Sequence, residues 1–126
     1  MIALICGLPN AGKTTYSARY SNVIHIDEVR SKNALEMVKT TSNVCIDGVF
    51  PFSDKRKEFL NAYGGDGKKV CIWLNTPYDV CVKRENRNRS RIIIDNCHKL
   101  FEPPTLDEGW DEIIIIRGEH EQRICR

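Results

Sequence analysis

The chain has 126 residues, a length that suits one compact domain, and its 41% hydrophobic and 29% charged residues are ordinary for a globular protein. No apolar run approaches the ~20 residues that a bilayer-spanning helix needs. A net charge of +2 is too small to indicate nucleic-acid binding by the whole molecule. The six cysteines lack CxxC or metal-ligand spacing, so we expect reduced thiols and a cytoplasmic location. From the length, we expect a single domain over residues 1–126.

Five short apolar runs alternate along the chain with segments that can form helices. The runs are predicted as strands at 2–6, 23–26, 44–46, 70–74 and 112–117. The helices are predicted at about 13–20, 28–39, 53–63, 77–84 and 92–101. Short apolar strands that alternate with helices favour a parallel sheet covered on both faces. The sequence therefore predicts a three-layer α/β/α fold with a five-stranded parallel sheet.

Local sequence signals indicate the structure of the first apolar run and the start of two helices. The first apolar run lacks a basic leader and leads directly into a glycine motif, so we interpret it as a strand and not as a cleaved leader. Ser53 is predicted to cap one helix, and Thr76 is predicted to cap another whose first residue is Pro77.

The segment between the first strand and the first helix carries the strongest signal. It reads GLPNAGKT and fits the P-loop pattern GxxxxGK[ST] at every fixed position. Its glycines let backbone N–H groups face phosphate oxygens, Lys13 can reach the β- and γ-phosphates, and the Thr14 hydroxyl can bind Mg²⁺. The motif predicts a P-loop NTPase fold with ATP and Mg²⁺ as ligands, without separating kinases from hydrolases. The predicted ATP-binding residues are Gly7, Asn10, Ala11, Gly12, Lys13, Thr14 and Thr15.

Two acids follow predicted strands at the edge of the sheet where ligands bind in such folds. Asp47 stands where a P-loop protein carries the carboxylate that organises the magnesium ion; the alternative is a turn residue before a glycine. Asp27 would face the γ-phosphate from the acceptor side and accept the proton of a hydroxyl, or it caps the next helix. Glu28 is the rival base, and Arg30 lies near enough along the chain to bring a positive charge to the same cleft.

A basic stretch follows the fourth predicted strand and its helix. Five of the nine residues from 83 to 91 are Lys or Arg, and one is acidic. The stretch is either a solvated helix end and loop or a lid, predicted at about 84–100, that closes over ATP and neutralises the transferring phosphoryl group. The candidate lid arginines are Arg84, Arg87 and Arg89.

The remaining histidines and tryptophans give weaker signals. His25, His98 and His120 have no ligand spacing, so we interpret each as structural or exposed and predict no zinc site. Trp73 is expected in the core, and Trp110 is expected to pack the last strand against the body of the domain.

Together these residues resemble the kinase domain of polynucleotide 5′-hydroxyl kinases, including the polynucleotide kinase/phosphatase group, and the wider group of small P-loop kinases with an adenylate kinase-like fold. The resemblance spans nearly the whole chain. Its segments are 7–15, 27–30, 47–48 with 53–56, 81–87 and 101–113.

The resemblance implies transfer of the γ-phosphate of ATP to a hydroxyl group, with a nucleic-acid 5′-end as the leading acceptor and a nucleoside or another small alcohol as the alternative. In these kinases the acid that matches Asp27 is the general base, and the arginine that matches Arg30 contacts substrate phosphate. Their lid arginines match Arg84 and either Arg89 or Arg87, so the resemblance gives Arg84 and Arg89 catalytic roles beside Lys13.

A second hypothesis comes from a different class of protein. Only 17 residues separate Ile26 from Val44, where the related kinases usually have a longer acceptor-binding region. This feature favours a nucleotide-binding or regulatory module that hydrolyses ATP or GTP slowly and has no dedicated acceptor.

Overall fold

The computed structural model of the protein describes residues 1–85 and 91–126. The predicted lid residues Arg87 and Arg89 lie outside these described ranges. The strands are β1 (Ile2–Gly7), β2 (Val23–His25), β3 (Val44–Asp47), β4 (Lys69–Leu74), β5 (Glu112–Arg117) and β6 (His120–Cys125). The helices are α1 (Lys13–Ser17), α2 (Ser31–Lys39), α3 (Ser53–Ala62), α4 (Tyr78–Lys83) and α5 (Arg91–Leu100), and Leu106–Glu108 forms a 3₁₀ turn.

The six strands form one sheet in the order β2-β3-β1-β4-β5-β6. The first five are parallel, which confirms the predicted α/β fold with a parallel sheet. β6 is an addition, because it pairs antiparallel with β5 at the edge of the sheet. Its residues are exposed except for a half-buried Ile124, so it lacks the apolar run by which the other strands were predicted.

β1 lies at the centre of the sheet and is buried along its whole length. Its alternate residues serve two separate cores, as the period of a strand requires. Ile2, Leu4 and Cys6 pack with α2, α3 and the fully buried Trp110, whereas Ala3 and Ile5 pack with α4 and α5. Within the described ranges, none of the six cysteines forms a disulfide, and no helix is both long enough and apolar enough to cross a bilayer.

α2 begins three residues later than predicted, at Ser31. The backbone N–H groups of Glu28 and Val29 both donate to the His25 carbonyl, at 3.0 and 3.1 Å, and so close a turn directly after β2. Asp27 lies in this turn and is not the helix cap, since the N-cap residue is Arg30. The alternative interpretation of Asp27 as a helix cap was therefore wrong.

Neither Ser53 nor Thr76 caps a helix as predicted. The N-cap residues are Phe52 for α3 and Pro77 for α4, and neither makes a side-chain capping hydrogen bond. The Thr76 hydroxyl donates instead to the carbonyl of Ala11, at 2.8 Å. The hydroxyl at the start of α4 thus holds the glycine loop after β1, a contact that local sequence signals do not encode.

Candidate active site

The loop between β1 and α1 requires glycine at two positions. A Cβ atom on Gly7 would lie 2.7 Å from the carbonyl oxygen of Leu74, so only glycine lets the loop pass this close to β4. Gly12 has a φ of +100°, in the left-handed region that glycine adopts without strain. The loop then enters α1 at Lys13.

A cleft of about 1020 Å³ opens beside this loop, at the upper end of the volumes typical of small-molecule sites. Two predicted site residues are not among the described residues that line the cleft. Gly7 is buried against β4, and Arg30 is exposed at the start of α2. Nine residues predicted to form the site do line it: Asn10, Ala11, Gly12, Lys13, Thr14, Thr15, Asp27, Asp47 and Arg84. The structure therefore brings the glycine loop and both strand-end acids to one cavity.

Lys13 lines the cleft with its ammonium group close to the glycine loop. Its Nζ donates to the carbonyl oxygens of Gly7 at 3.2 Å and Leu8 at 2.8 Å, which fixes the ammonium on the inner side of the loop. Burial lowers the pKa of Lys13, and the negative charges of Asp27 and Asp47 raise it again in part. The two acids therefore lie close enough to Lys13 for their charges to act on it.

Asp47 ends β3 and is only 5% exposed. His25 Nδ1 lies 2.7 Å from Asp47 Oδ2, and because a carboxylate only accepts hydrogen bonds, the imidazole is the donor. The two residues are direct partners in the β2–β3 register. The sequence analysis missed this pair, although both residues stand at the carboxyl ends of predicted strands.

Asp27 and its neighbour Glu28 are both exposed in the turn after β2. Asp27 lines the cleft, and its charge acts on Lys13. Glu28 is not among the described residues that line the cleft. Of the two candidate bases, the geometry therefore favours Asp27.

Residues at the end of α4 form hydrogen bonds with the glycine loop. The Asn10 amide nitrogen donates to the Cys81 carbonyl at 3.2 Å and to Glu85 Oε2 at 3.1 Å. Arg84 Nη1 in turn donates to the Asn10 carbonyl at 3.3 Å. These contacts place the Arg84 guanidinium beside the loop, where it lines the cleft, and they direct the Asn10 amide to α4.

Thr14 and Asp47, the residues predicted to bind magnesium, both line the cleft, and they offer a hydroxyl and a carboxylate oxygen. Both are hard oxygen donors, the type that Mg²⁺ prefers, and Mg²⁺ commonly combines one or two carboxylates with substrate phosphates. Within residues 1–85 and 91–126, no group of three or more His, Cys, Asp or Glu side chains could hold a metal by itself. The residues present fit a magnesium ion that completes its coordination with nucleotide phosphates and water.

A GxxxxGKT loop after the central strand of a parallel sheet, with a cleft at the carboxyl ends of the strands, is the arrangement of the P-loop NTPase fold, which kinases and hydrolases share. No protein-family model matches the chain. A gluconokinase from Sinorhizobium meliloti superposes with a TM-score of 0.68 at 9% identity, covering 94% of this chain and 82% of that one. Kti12 from Chaetomium thermophilum, solved with ADP-AlF3, superposes with a TM-score of 0.62 at 15% identity, covering 94% and 90%. At these identities the likeness shows the fold.

A curated relative gives sequence similarity as well. The L-seryl-tRNA(Sec) kinase of Methanococcus maripaludis is 24% identical over 88% of this chain. The chain spans 56% of the length of that relative.

Proposed function

We propose that the protein is an ATP-dependent kinase that transfers the γ-phosphate of ATP to a hydroxyl group. The observation that carries the proposal is the convergence of Lys13, Asp27 and Asp47 on the cleft beside the glycine loop. The names of the gluconokinase and of the seryl-tRNA kinase support phosphoryl transfer, and the ADP-AlF3 in Kti12 supports a nucleotide in this fold.

The proposed roles follow the geometry of the cleft. The loop and Lys13 bind the β- and γ-phosphates, and Arg84 stabilises the charge that develops on the transferring group. Thr14 and Asp47 would hold Mg²⁺, which, when bound, neutralises phosphate oxygens. Asp27 accepts the proton of the acceptor hydroxyl while the oxygen of that hydroxyl forms a bond to the γ-phosphorus. The bond from that phosphorus to the bridging oxygen breaks, and ADP leaves.

We favour a small hydroxyl compound over a nucleic-acid 5′-end as the acceptor. Arg30, which the resemblance to polynucleotide kinases assigns to substrate phosphate, is exposed and does not line the cleft. The segment between Ile26 and Val44 is short. Neither gluconokinase nor L-seryl-tRNA(Sec) kinase is named for a 5′-hydroxyl.

The first test is an acceptor screen with γ-labelled ATP. The panel contains sugars and sugar acids, nucleosides, seryl-tRNA and 5′-hydroxyl oligonucleotides. Label transfer to a sugar, a sugar acid or a nucleoside supports the proposal of a small acceptor. Transfer to seryl-tRNA alone would keep the kinase but overturn the small acceptor, and transfer to the oligonucleotides alone would return the acceptor to a 5′-end. Hydrolysis of ATP that is indifferent to every acceptor would instead identify a nucleotide-hydrolysing module.

Asp27→Asn should lower kcat by about 10²-fold or more, because general-base catalysis typically contributes 10²–10⁴-fold. The Kd for ATP, measured by calorimetry, should change far less than kcat, since in this proposal the loop and Lys13 hold the phosphates and Asp27 receives the acceptor. The matched control is Glu28→Gln, one residue along the same turn, which should keep near wild-type turnover. Equal turnover in Asp27→Asn and the wild type would remove Asp27 as the base.

A further inference from the structure

We propose that His25 is a positioning residue for the carboxylate that serves the metal. Its Nδ1–H holds Asp47 Oδ2 at 2.7 Å, which leaves Oδ1 as the oxygen available to a magnesium ion or its water. The inference rests on the proposed function, because that proposal assigns Asp47 to the metal.

The backbone around Asp47 is already fixed by the sheet. Its carbonyl accepts a hydrogen bond from the Ile26 N–H at 3.0 Å, and the next N–H, of Gly48, donates to the Ile5 carbonyl at 3.1 Å. The freedom that remains lies in the two side-chain torsions of Asp47. One strong hydrogen bond to a single carboxylate oxygen restricts those torsions and decides which oxygen the cleft receives.

Burial makes this hydrogen bond effective. The Asp47 side chain is 7% exposed and that of His25 is 30% exposed, so little bulk water reaches the carboxylate that the imidazole contacts. A hydrogen bond to an ionised acceptor is roughly twice as strong as one between neutral groups. Water therefore competes poorly for Oδ2.

If the hydrogen bond between His25 and Asp47 had only a structural role, it would serve to join β2 to β3. The backbone register already joins these strands through three consecutive residue pairs, Val23 with Cys45, Ile24 with Ile46 and His25 with Asp47. The side-chain hydrogen bond is thus an addition to a complete ladder. Its consequence is the orientation of a carboxylate at the edge of the cleft.

The test measures metal binding directly. Mn²⁺ binding in the presence of ADP, followed by electron paramagnetic resonance, should weaken about tenfold in His25→Leu, at the lower end of the 10–100-fold loss seen when a partner of a metal-binding group is removed. His25→Asn should restore most of the affinity, because its amide nitrogen lies close to the position of Nδ1. ADP binding in EDTA should stay within about twofold in both variants. The matched control is Lys32→Leu, at an exposed position on α2, which should bind Mn²⁺ like the wild type.

Several outcomes would overturn the inference. Wild-type Mn²⁺ affinity in a folded His25→Leu would do so while leaving the proposed function intact, and equal losses in His25→Leu and His25→Asn would show a general structural effect. A wild-type protein that binds neither ADP nor Mn²⁺ with ADP would overturn the proposed function and this inference together. If His25→Leu does not fold, His25→Gln, whose amide lies one bond further out, must bind Mn²⁺ more weakly than His25→Asn.

Discussion

Lys13 places a positive charge in a half-buried position near two loop carbonyls and two carboxylates. Burial lowers its pKa from the usual 10.5, and the neighbouring Asp27 and Asp47 only partly offset this effect. The charged form therefore costs folding free energy, a cost that is consistent with the phosphate-binding role proposed for Lys13. Such a residue is expected to trade stability for function.

Lys13→Met should therefore stabilise the protein near pH 7 and abolish tight ATP binding. Because the folded-state pKa lies below 10.5, the unfolded chain binds more protons between the two values, and wild-type stability rises with pH in that window. The advantage of the variant should accordingly shrink as the pH approaches 10.5. Urea unfolding from pH 7 to pH 10, with ATP calorimetry, checks both effects.

The control for this prediction is Lys32→Met, at an exposed position on α2, which should change stability by less than about 0.5 kcal/mol. A Lys13→Met variant that is less stable than the wild type at pH 7 would contradict the prediction. It would mean that the hydrogen bonds and the two carboxylates outweigh the cost of burial.

Strand ends made several site residues predictable from sequence. Lys13 belongs to a local motif, and Asp27 and Asp47 each follow an apolar run, so the carboxyl edge of a parallel sheet brings them together without knowledge of the packing. His25 was missed because its partner depends on the register between β2 and β3. Arg30 was expected near the cleft, but the turn after β2 leaves it exposed at the start of α2.

At the scale of elements, the strands and helices were predictable and their boundaries were less so. The strand at 112–117 was predicted with the bounds of β5, whereas the helix predicted at 13–20 is helical only over Lys13–Ser17. Two predicted helix starts were wrong. The Thr76 hydroxyl makes a tertiary hydrogen bond to the Ala11 carbonyl instead of capping α4, and local backbone hydrogen bonds close a turn after β2 where α2 was expected to begin. Capping residues alone cannot reveal such competition.

A buried ion pair joins α3 to the 3₁₀ turn before β5. Arg56 is fully buried and makes a two-pronged contact with Glu108, from Nε to Oε1 at 2.9 Å and from Nη2 to Oε2 at 2.8 Å. Arg56 Nη1 also donates to the carbonyl of Phe50 at 2.7 Å. Phe50 lies in the loop after β3 and has a φ of +43°, which a non-glycine residue rarely adopts. The ion pair thus holds the loop that follows Asp47. The segments 53–56 and 101–113, which helped to carry the family resemblance, contribute this structural contact.

Glu108→Ala should destabilise the protein by about 3–5 kcal/mol, because removal of one partner leaves a buried charge without its counterion. For a domain of this size that loss corresponds to a fall in Tm of about 10 °C or more, measurable by circular dichroism. The matched control is Asp107→Ala, an exposed acid in the same turn, which should shift Tm by no more than about 2 °C. Similar melting curves for the two variants would contradict a stabilising role for the pair.

At the scale of the whole molecule, the alternation of strands and helices was sufficient to predict the parallel sheet and the edge that carries the cleft. The edge strand β6 required the structure, because its pairing with β5 places polar and charged residues over an apolar neighbour. β5 contains the run Ile113–Ile116, whose backbone groups would otherwise form an open sheet edge. Charged residues on an edge strand oppose pairing with another molecule, so β6 is suited to protecting β5.

A chain ending at Arg117 should therefore self-associate, since it exposes an apolar strand with unpaired N–H and C=O groups. Light scattering after size-exclusion chromatography should show oligomers or aggregates, and thioflavin T fluorescence should rise with time. A chain ending at Ile124 is the matched control, because it loses the last two residues but keeps the pairs that cover Ile113 to Arg117. It should behave like the full chain. A monodisperse, monomeric shorter chain would show that β5 does not need β6 for protection.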